Sequence, residues 1–313
     1  MARAYGSRSL MAFAFESTYG TAPGSGYTKL PFATSGLSSE QPLVDSELLG
    51  FGRDPLAPIK DAITADGDAV VPVDVDAFGY WLKLAFGAPT TTGTTPKTHT
   101  FKSGALNLPS ASIEIGTPEI PNYSMFSGVR LDELRFRMER SGNLQATAAL
   151  VAQGETRNAA TQAGTPASPA LLKRFGHFQG SIKRNGSAIG EIISAEATYS
   201  NKLDRVETIR ADGKIDGADP TIAALTGSLV ARFADTTLLD QAVAGTSCAL
   251  EFAWTISANE SLTITAHEVY LPVPRRPIEG PGGIQATFAW QAALNAAAAC
   301  MCTVVLKNAV ASY

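Results

Sequence analysis

The chain has 313 residues, of which 45% are apolar and only 17% charged, and its formal net charge is −4. The apolar content excludes a disordered chain, the length allows two domains of ordinary size, and the charge balance supplies no basic footprint for gripping nucleic acid. Charge is sparse beside the ~25% of a typical soluble domain, which favours a surface partly covered by neighbours in an assembly.

Met1 to about Gly26 mixes Gly, Ser, Pro and aromatic residues without a period and reads as an ordered arm or a loop. Its "RSLMAFAFE" core is too brief for the ~7–15-residue apolar region of a signal peptide. The pattern becomes β-like from Tyr27. In "GDAVVPVDVD", Val71, Val73 and Val75 alternate with Pro72, Asp74 and Asp76, the period of a half-buried strand. In "DAFGYWLKLAFGAP", Phe78, Trp81, Leu82 and Ala85 fall at helical spacing, with Asp76 as N-cap and Gly87-Ala88-Pro89 as the stop. The tract "PTTTGTTPKTHT" reads as a loop. Strands resume at "SASIEIG" and "LRFRMER", where Leu134, Phe136 and Met138 share one face and Arg135, Arg137 and Glu139 the other. A Ser-Gly-Asn turn then leads into "LQATAALVAQ", completing a hairpin. The Ala/Thr/Gly/Pro-rich stretch from Gly154 to about Leu171 reads as a linker.

Beyond it the pattern restarts. Asn185-Gly186 is a hairpin signal, and "IISAEATYS" alternates Ile193, Ala195, Ala197 and Tyr199 against Ser194, Glu196 and Thr198. "DTTLLDQAVAG" predicts a second short helix, with Asp235 as N-cap, a stripe of Leu238, Leu239, Ala242 and Val243, and Gly245 as the stop. "SCALEFAW" and "GIQATFAWQAAL" follow as strands. The two halves correspond in order. Asp76 and Asp235 open the helices, Ser110 and Glu114 in "SASIE" match Ser247 and Glu251 in "SCALE", and "GNLQAT" from Gly142 matches "GGIQAT" from Gly282. A duplication accounts for this order. The expected organisation is an arm at 1–26, a first domain at 27–155, a linker at 156–172 and a second domain at 173–313, mainly β, each domain carrying one short flanking helix.

No catalytic constellation stands out. Nucleophile-elbow, S-x-x-K and phosphate-binding glycine motifs are lacking, and His99, His177 and His267 lie far apart. Cys248, Cys300 and Cys302 are too few for a disulfide framework, and the "CMC" pair has no nearby ligands to complete a metal site. "ADGDAV" and "ADGKIDGAD" lack EF-hand spacing and read as turns. A carboxylate pair for glycoside hydrolysis is not selected by any pattern. No cofactor is expected. The longest apolar stretch, Ala293 to Leu306, contains Asn295 and falls short of the ~20 residues of a membrane-spanning helix, so no membrane partner is expected.

"GRDPLAPIKDAITADGDAVVPVDVDAFGYWLKLAFGAPTTTG", the "THTF" strand and "FSGVRLDELRFRMERSGNLQATAALVAQGE" resemble the major tail tube proteins of long-tailed, siphovirus-like bacteriophages. The resemblance covers most of residues 27–155, with Gly52 to Gly93 its most specific run. It implies β-sandwich or half-barrel domains of the kind shared with contractile-tail tubes, and rings whose inner sheets join into one β-barrel and stack into a hollow tube. Its implied partners are other copies of the chain, a tape measure protein, tail terminator and distal tail proteins, and genomic DNA that passes without specific binding. The implied location is the virion tail, with assembly in the host cytoplasm. A duplicated subunit needs three copies for a pseudo-sixfold ring; a hexamer built on the first half alone is the rival. The lumen should be neutral or acidic, because each phosphate neutralised by a basic wall would hold the DNA back. Asp74, Glu114 and Glu251, with Gln145, Thr147, Gln285 and Thr287 of the QAT strands, are the candidates for the lumen wall, the alternative being the outside of the tube. Leu48, Leu49 and Phe51, with Arg53 and Asp54 as ion-pair formers, are the candidates for ring-to-ring contact. The other readings left open are a decoration or fibre-type adhesive module and a carbohydrate-processing enzyme.

Overall fold

A computed structural model describes residues 3–168, 172–276 and 280–313. Strand β1 (Leu10–Phe15) is followed by the short β2 (Thr28–Lys29), β3 (Thr34–Ser35), β4 (Ser38–Glu40), β5 (Leu43–Val44) and β6 (Ile59–Lys60). β7 (Thr64–Pro72) leads into α1 (Phe78–Phe86); β8 (Thr90–Thr92), β9 (Lys97–Lys102), β10 (Ala111–Thr117), β11 (Asn122–Met138), β12 (Gln145–Ala152) and β13 (Gly154–Asn158) complete the first half. The second half contains β14 (Gly180–Arg184), β15 (Ser187–Ala188), β16 (Ile192–Ser200), β17 (Leu203–Val206), β18 (Gly217–Pro220) and β19 (Ala224–Arg232). After α2 (Thr237–Ala244) come β20 (Cys248–Ser257), β21 (Glu260–Tyr270), β22 (Gln285–Ala292) and β23 (Cys302–Asn308).

The long strand β11 divides its pairing. Its first half lies between β10 and β13, and its second half between β12 and β16. The second division builds one antiparallel sheet through both halves of the chain, in the order β3/β4, β7, β12, β11, β16, β19, β22, β21. Along its covered face Val71, Ala146, Phe136 and Ala197 are cross-strand neighbours, all buried. Helix α1 packs beneath. Phe78 meets Phe136 and Trp81 meets Phe13 of β1, each pair with ring centroids 5.8 Å apart, while Phe86 stacks on Tyr199 at 4.2 Å. Each such ring, fully buried, contributes about 1.5–3 kcal/mol. One continuous apolar core therefore runs from Met11 to Leu306 instead of one core per half.

The strand pairings of the first half recur in the second in the same register. Pro72 lies opposite Gln145 and Arg232 opposite Gln285, displaced by 160 and 140 positions. Glu114 faces Ala12 as Glu251 faces Lys183. The β10–β11 bulge between Ala111 and Ile113 recurs between Cys248 and Leu250. The β5–β6 pair Leu43–Lys60 recurs as Leu203–Pro220.

Several expectations are corrected. The stretch 1–26, expected as an ordered arm or a loop, contains a core strand: β1 pairs with β10 and buries Met11 and Phe13. The linker begins as strand β13, paired with β11, and its residues 169–171 lie outside the described ones. The Thr-rich tract is the β8–β9 hairpin, and β9 pairs with β23 of the second half, binding the two halves a second time. Asp76 is not the N-cap of α1, a place held by Ala77; the turn before the helix is held by Asp74, whose Oδ1 accepts the N–H of Asp76 at 2.9 Å and of Ala77 at 2.5 Å. Asp235 does accept the N–H of Thr237 at 2.9 Å, but Val243 is exposed because α2 buries only Leu238, Leu239 and Ala242. Ile284, which the alternation of the second QAT strand places with Ala286 and Phe288 on the core side, sits exposed just before β22 begins.

Gly67 and Gly227 occupy the same place in the two halves. A Cβ on Gly67 would strike the carbonyl of Gly36, and Gly67 has a φ of +147; a Cβ on Gly227 would strike the carbonyl of Glu196 and the Trp290 ring. Backbone on the neighbouring strand cannot yield as a side-chain end can. Gly227→Val is expected to cost about 2–3 kcal/mol by thermal unfolding, and Gly67→Val at least as much. Gly24→Ala, in open space, should change stability by less than about 0.5 kcal/mol.

Candidate functional site: the open face of the long sheet

Direct cross-strand neighbours point to the same side of a sheet, so one row can be followed from edge to edge. It runs Thr34, Val70, Thr147, Arg135, Thr198, Thr226, Gln291, Tyr270. The next row along carries Pro72 and Gln145, and in the second half Val230 faces Thr287 and Arg232 faces Gln285. The face opposite the core is thus a polar wall of mostly uncharged side chains. Gln145, Gln285 and Thr287 are exposed on it and Thr147 is half-buried.

The charges that β11 brings to this wall are neutralised in pairs, whereas Arg232 on β19 forms no ion pair among the described residues. Arg135 donates to Glu133 at 2.7 Å and lies 3.8 Å from Asp68; Arg137 lies 2.7 Å from Glu139 and 3.4 Å from Glu196. The hydrogen bond to Glu133 raises the Arg135 pKa further above its ordinary value. These exposed pairs contribute little to stability, but they tie up guanidinium groups that would otherwise meet phosphate.

The structure assembles the four QAT-strand candidates on one face and places the three carboxylate candidates elsewhere. Asp74 is 1% exposed and holds the turn that leads into α1. The chain leaves the sheet after Pro72, so alternation along the valines no longer reports an open face. Glu114 is 4% exposed, because residues 160–163 fold back over β10: its carboxylate accepts Thr161 Oγ1 at 2.5 Å and the N–H groups of Gln162 and Ala163 at 2.6 and 3.3 Å. Glu251 is half-buried on β20, outside the long sheet, and pairs with Lys183 at 2.8 Å. Glu114 and Glu251 thus share a backbone position and differ in task. Glu16 was missed by sequence reasoning, being a lone carboxylate inside the supposed arm. It accepts hydrogen bonds from Ser110, Ser112, Gly20 and Gly128 at 2.6–2.9 Å, fastening β1, β10 and β11 together.

Leu48, Leu49, Phe51, Arg53 and Asp54 are all exposed, on the loop that joins β5 to β6. Neither Arg53 nor Asp54 forms an ion pair among the described residues. Among the described residues no group of three or more His, Cys, Asp or Glu side chains converges, and no helix is long and apolar enough to cross a membrane. His99 is buried, hydrogen-bonded to Thr91, Asn308 and the carbonyl of Val310.

The model of one protein family, described as phage tail tube protein, matches residues 6–292. The chain belongs to the phage tail tube protein family. It is a structural component of the virion tail, and the matched span takes in both halves of the long sheet. No curated protein matches the chain significantly.

Two measurements separate the roles of the carboxylates. Glu114→Ala leaves a hydroxyl and two N–H groups without their acceptor and should cost about 3 kcal/mol, with new protease cleavage near 160–163; Glu251→Ala, losing a half-exposed pair, should cost under about 1 kcal/mol. Burial raises the Asp74 carboxyl to about 6, against the N–H bonds from Ala77 and Asp76 that pull it down. The folded chain then holds this proton more tightly than the unfolded chain, so the group's stabilising contribution is full below about pH 4 and is lost as pH rises through about 6. Asp74→Asn keeps the acceptor oxygen and removes the titration. Between about pH 4 and 6 the variant should therefore gain on the parent chain by up to about 3 kcal/mol in denaturant unfolding.

Proposed function

We propose that three copies of this chain close a ring with pseudo-sixfold symmetry, that rings stack into the tail tube, and that the polar open face of the long sheet lines a lumen through which genomic DNA passes. The carrying observation is that face: eight strands wide, uncharged for most of its area, and with Arg135 and Arg137 each held by carboxylates. In this reading each half is one copy of a single domain contributing four strands. Three chains give about 24 strands, which at ~4.8 Å spacing and a tilt near 40° close a circle about 45–50 Å across. Side chains narrow it to roughly 35–40 Å, wider than a DNA duplex of about 20 Å.

The lumen wall in this proposal is Gln145, Thr147, Gln285 and Thr287 with their cross-strand neighbours, and its acidic members are Asp68, Glu133 and Glu196. On β11 such a wall gives phosphates no unpaired cation to displace counterions and arrest the DNA; Arg232 on β19 is the exception, exposed and without an ion pair among the described residues. The exposed loop with Leu48, Leu49, Phe51, Arg53 and Asp54 is the proposed contact between stacked rings. Assembly in the host cytoplasm, a non-contractile tail, and contacts with tape measure, terminator and distal tail proteins belong to the same proposal.

Negative-stain microscopy of the purified protein tests it. Stacked rings with a central hole are expected, and a chain that stays monomeric at high concentration counts decisively against the ring. In phage carrying Thr147→Lys with Thr287→Lys, tubes should still form while DNA delivery slows. Unchanged delivery would remove the lumen assignment.

A further inference from the structure

Within the long sheet the two halves meet at the β11–β16 joint, and the recurrence of register identifies where the same joint is left open. Inside the chain, β11 pairs with β16, with Arg135 opposite Thr198 and Glu133 opposite Ser200. The strand equivalent to β11 is β21 with its continuation, since Arg130 opposite Val151 recurs as Tyr270 opposite Gln291. The inward Leu131 and Leu271 are both buried. The strands equivalent to β16 are β3 and β4, since Ser194 opposite Val230 recurs as Thr34 opposite Val70. Carried over, the internal pair Arg135–Thr198 becomes Arg275–Ser38. Yet β4 pairs only with β7, and residues 271–276 pair with no strand among the described residues.

Two further features follow the same correspondence. In the second half the β17–β18 hairpin lies on the first half: the Leu203 N–H donates to Asp132 at 2.9 Å, Arg130 pairs with Asp219 at 3.0 Å, and the Ile63 N–H donates to the Gly213 carbonyl at 2.8 Å. The equivalent β5–β6 hairpin pairs with no other strand among the described residues, leaving Leu43 62%, Val44 43% and Ile59 69% exposed. The two sides of the joint also change together, because the Asp219–Arg130 ion pair corresponds to Ile59 and Tyr270, an apolar match. At the internal joint the buried Asn201 donates its side-chain amide to the carbonyls of Leu131 and Ala85. Its counterpart is Gln41, the same chemistry on a longer stem, exposed in the single chain.

We propose that successive copies join by repeating this internal seam. Ser38–Glu40 of one copy pairs antiparallel with Val273–Arg276 of the next, Ser38 lies opposite Arg275, Gln41 reaches the Leu271 carbonyl, and the β5–β6 hairpin sets Ile59 against Tyr270. The occupant of the open edge is thus a second copy of this chain. Pro272 and Pro274 stand where Asp132 and Leu134 stand in the internal joint, so this seam keeps their carbonyls as acceptors and forgoes the two N–H donors. The proposal rests on the ring reading above and adds its residue register.

The test is disulfide trapping in the full chain. Cys248, Cys300 and Cys302 are buried and do not compete. Within one chain Ser38 and Arg275 stand at opposite ends of the long sheet, seven interstrand steps of ~4.8 Å apart, so a bond between them joins two chains. Under mild oxidation Ser38→Cys with Arg275→Cys should give a covalent ladder ending at a closed ring. Ser39→Cys with Arg275→Cys, whose thiols point to opposite faces, should give none. If the parent forms rings and the 38–275 pair fails to link, the seam is overturned and the ring reading stands; a parent that never self-associates overturns both. A second variant does not depend on oxidation. Ile59→Asp should abolish assembly without lowering the monomer's melting temperature, and adding Tyr270→Arg, which recreates the internal ion pair, should restore it. Assembly unaffected by Ile59→Asp, or not restored by Tyr270→Arg, overturns the seam.

Discussion

Antiparallel pairing between the second half of β11 and β16 is the constraint on which the rest of the molecule depends. Without it the chain would carry two four-stranded sheets, each with two raw edges and a half-covered apolar face. With it, six residue pairs from Glu133–Ser200 to Met138–Ala195 turn the two sheets into one and bring Tyr199 over Phe86. The apolar core is continuous for the same reason. A β-sheet edge is a line of unmet donors and acceptors, and the cheapest way to satisfy it is another strand of matching register. This chain supplies that strand from its own second half.

The same pairing decides the character of the open face. Register sets which residues share a side, and a slip of one position at β11–β16 would turn Arg135 and Thr198 to opposite faces. As built, Thr147, Arg135, Thr198 and Thr226 stand in a line, and each arginine of β11 on this side has a carboxylate within reach. The charges that β11 brings to this face are thus held in ion pairs.

Carboxylates are employed in two ways. Buried ones hold chain segments in place: Asp74 accepts the N–H groups of Asp76 and Ala77 in the turn that leads into α1, Glu16 gathers β1, β10 and β11, and Glu114 pins residues 160–163. Exposed ones on the long sheet neutralise arginine. Glu114 and Glu251, equivalent in backbone position, fall on opposite sides of this division because one of them has a loop folded over it and the other faces Lys183.

Much of this was legible in the amino-acid sequence. Alternation identified β11, β12 and β16 and the side each presents, since period-2 burial is a local property of a strand with one face covered. Spacing located both helices, and the recurrent QAT, Ser-x-x-x-Glu and helix-opening Asp signals pointed to matching halves whose register correspondence the pairings display. Local pattern could not report which groups lie beneath distant chain. Asp74 and Glu114 look like outward residues of alternating strands, and only the fold brings α1 and residues 160–163 to cover them. Nor could it report that the Thr-rich tract pairs with β23, or that β11 changes partners midway, because a strand's sequence encodes its two faces and not its two neighbours. Faces are set by side-chain chemistry along one chain; neighbours are set by backbone hydrogen bonds between segments, which every sequence offers alike and only tertiary structure selects.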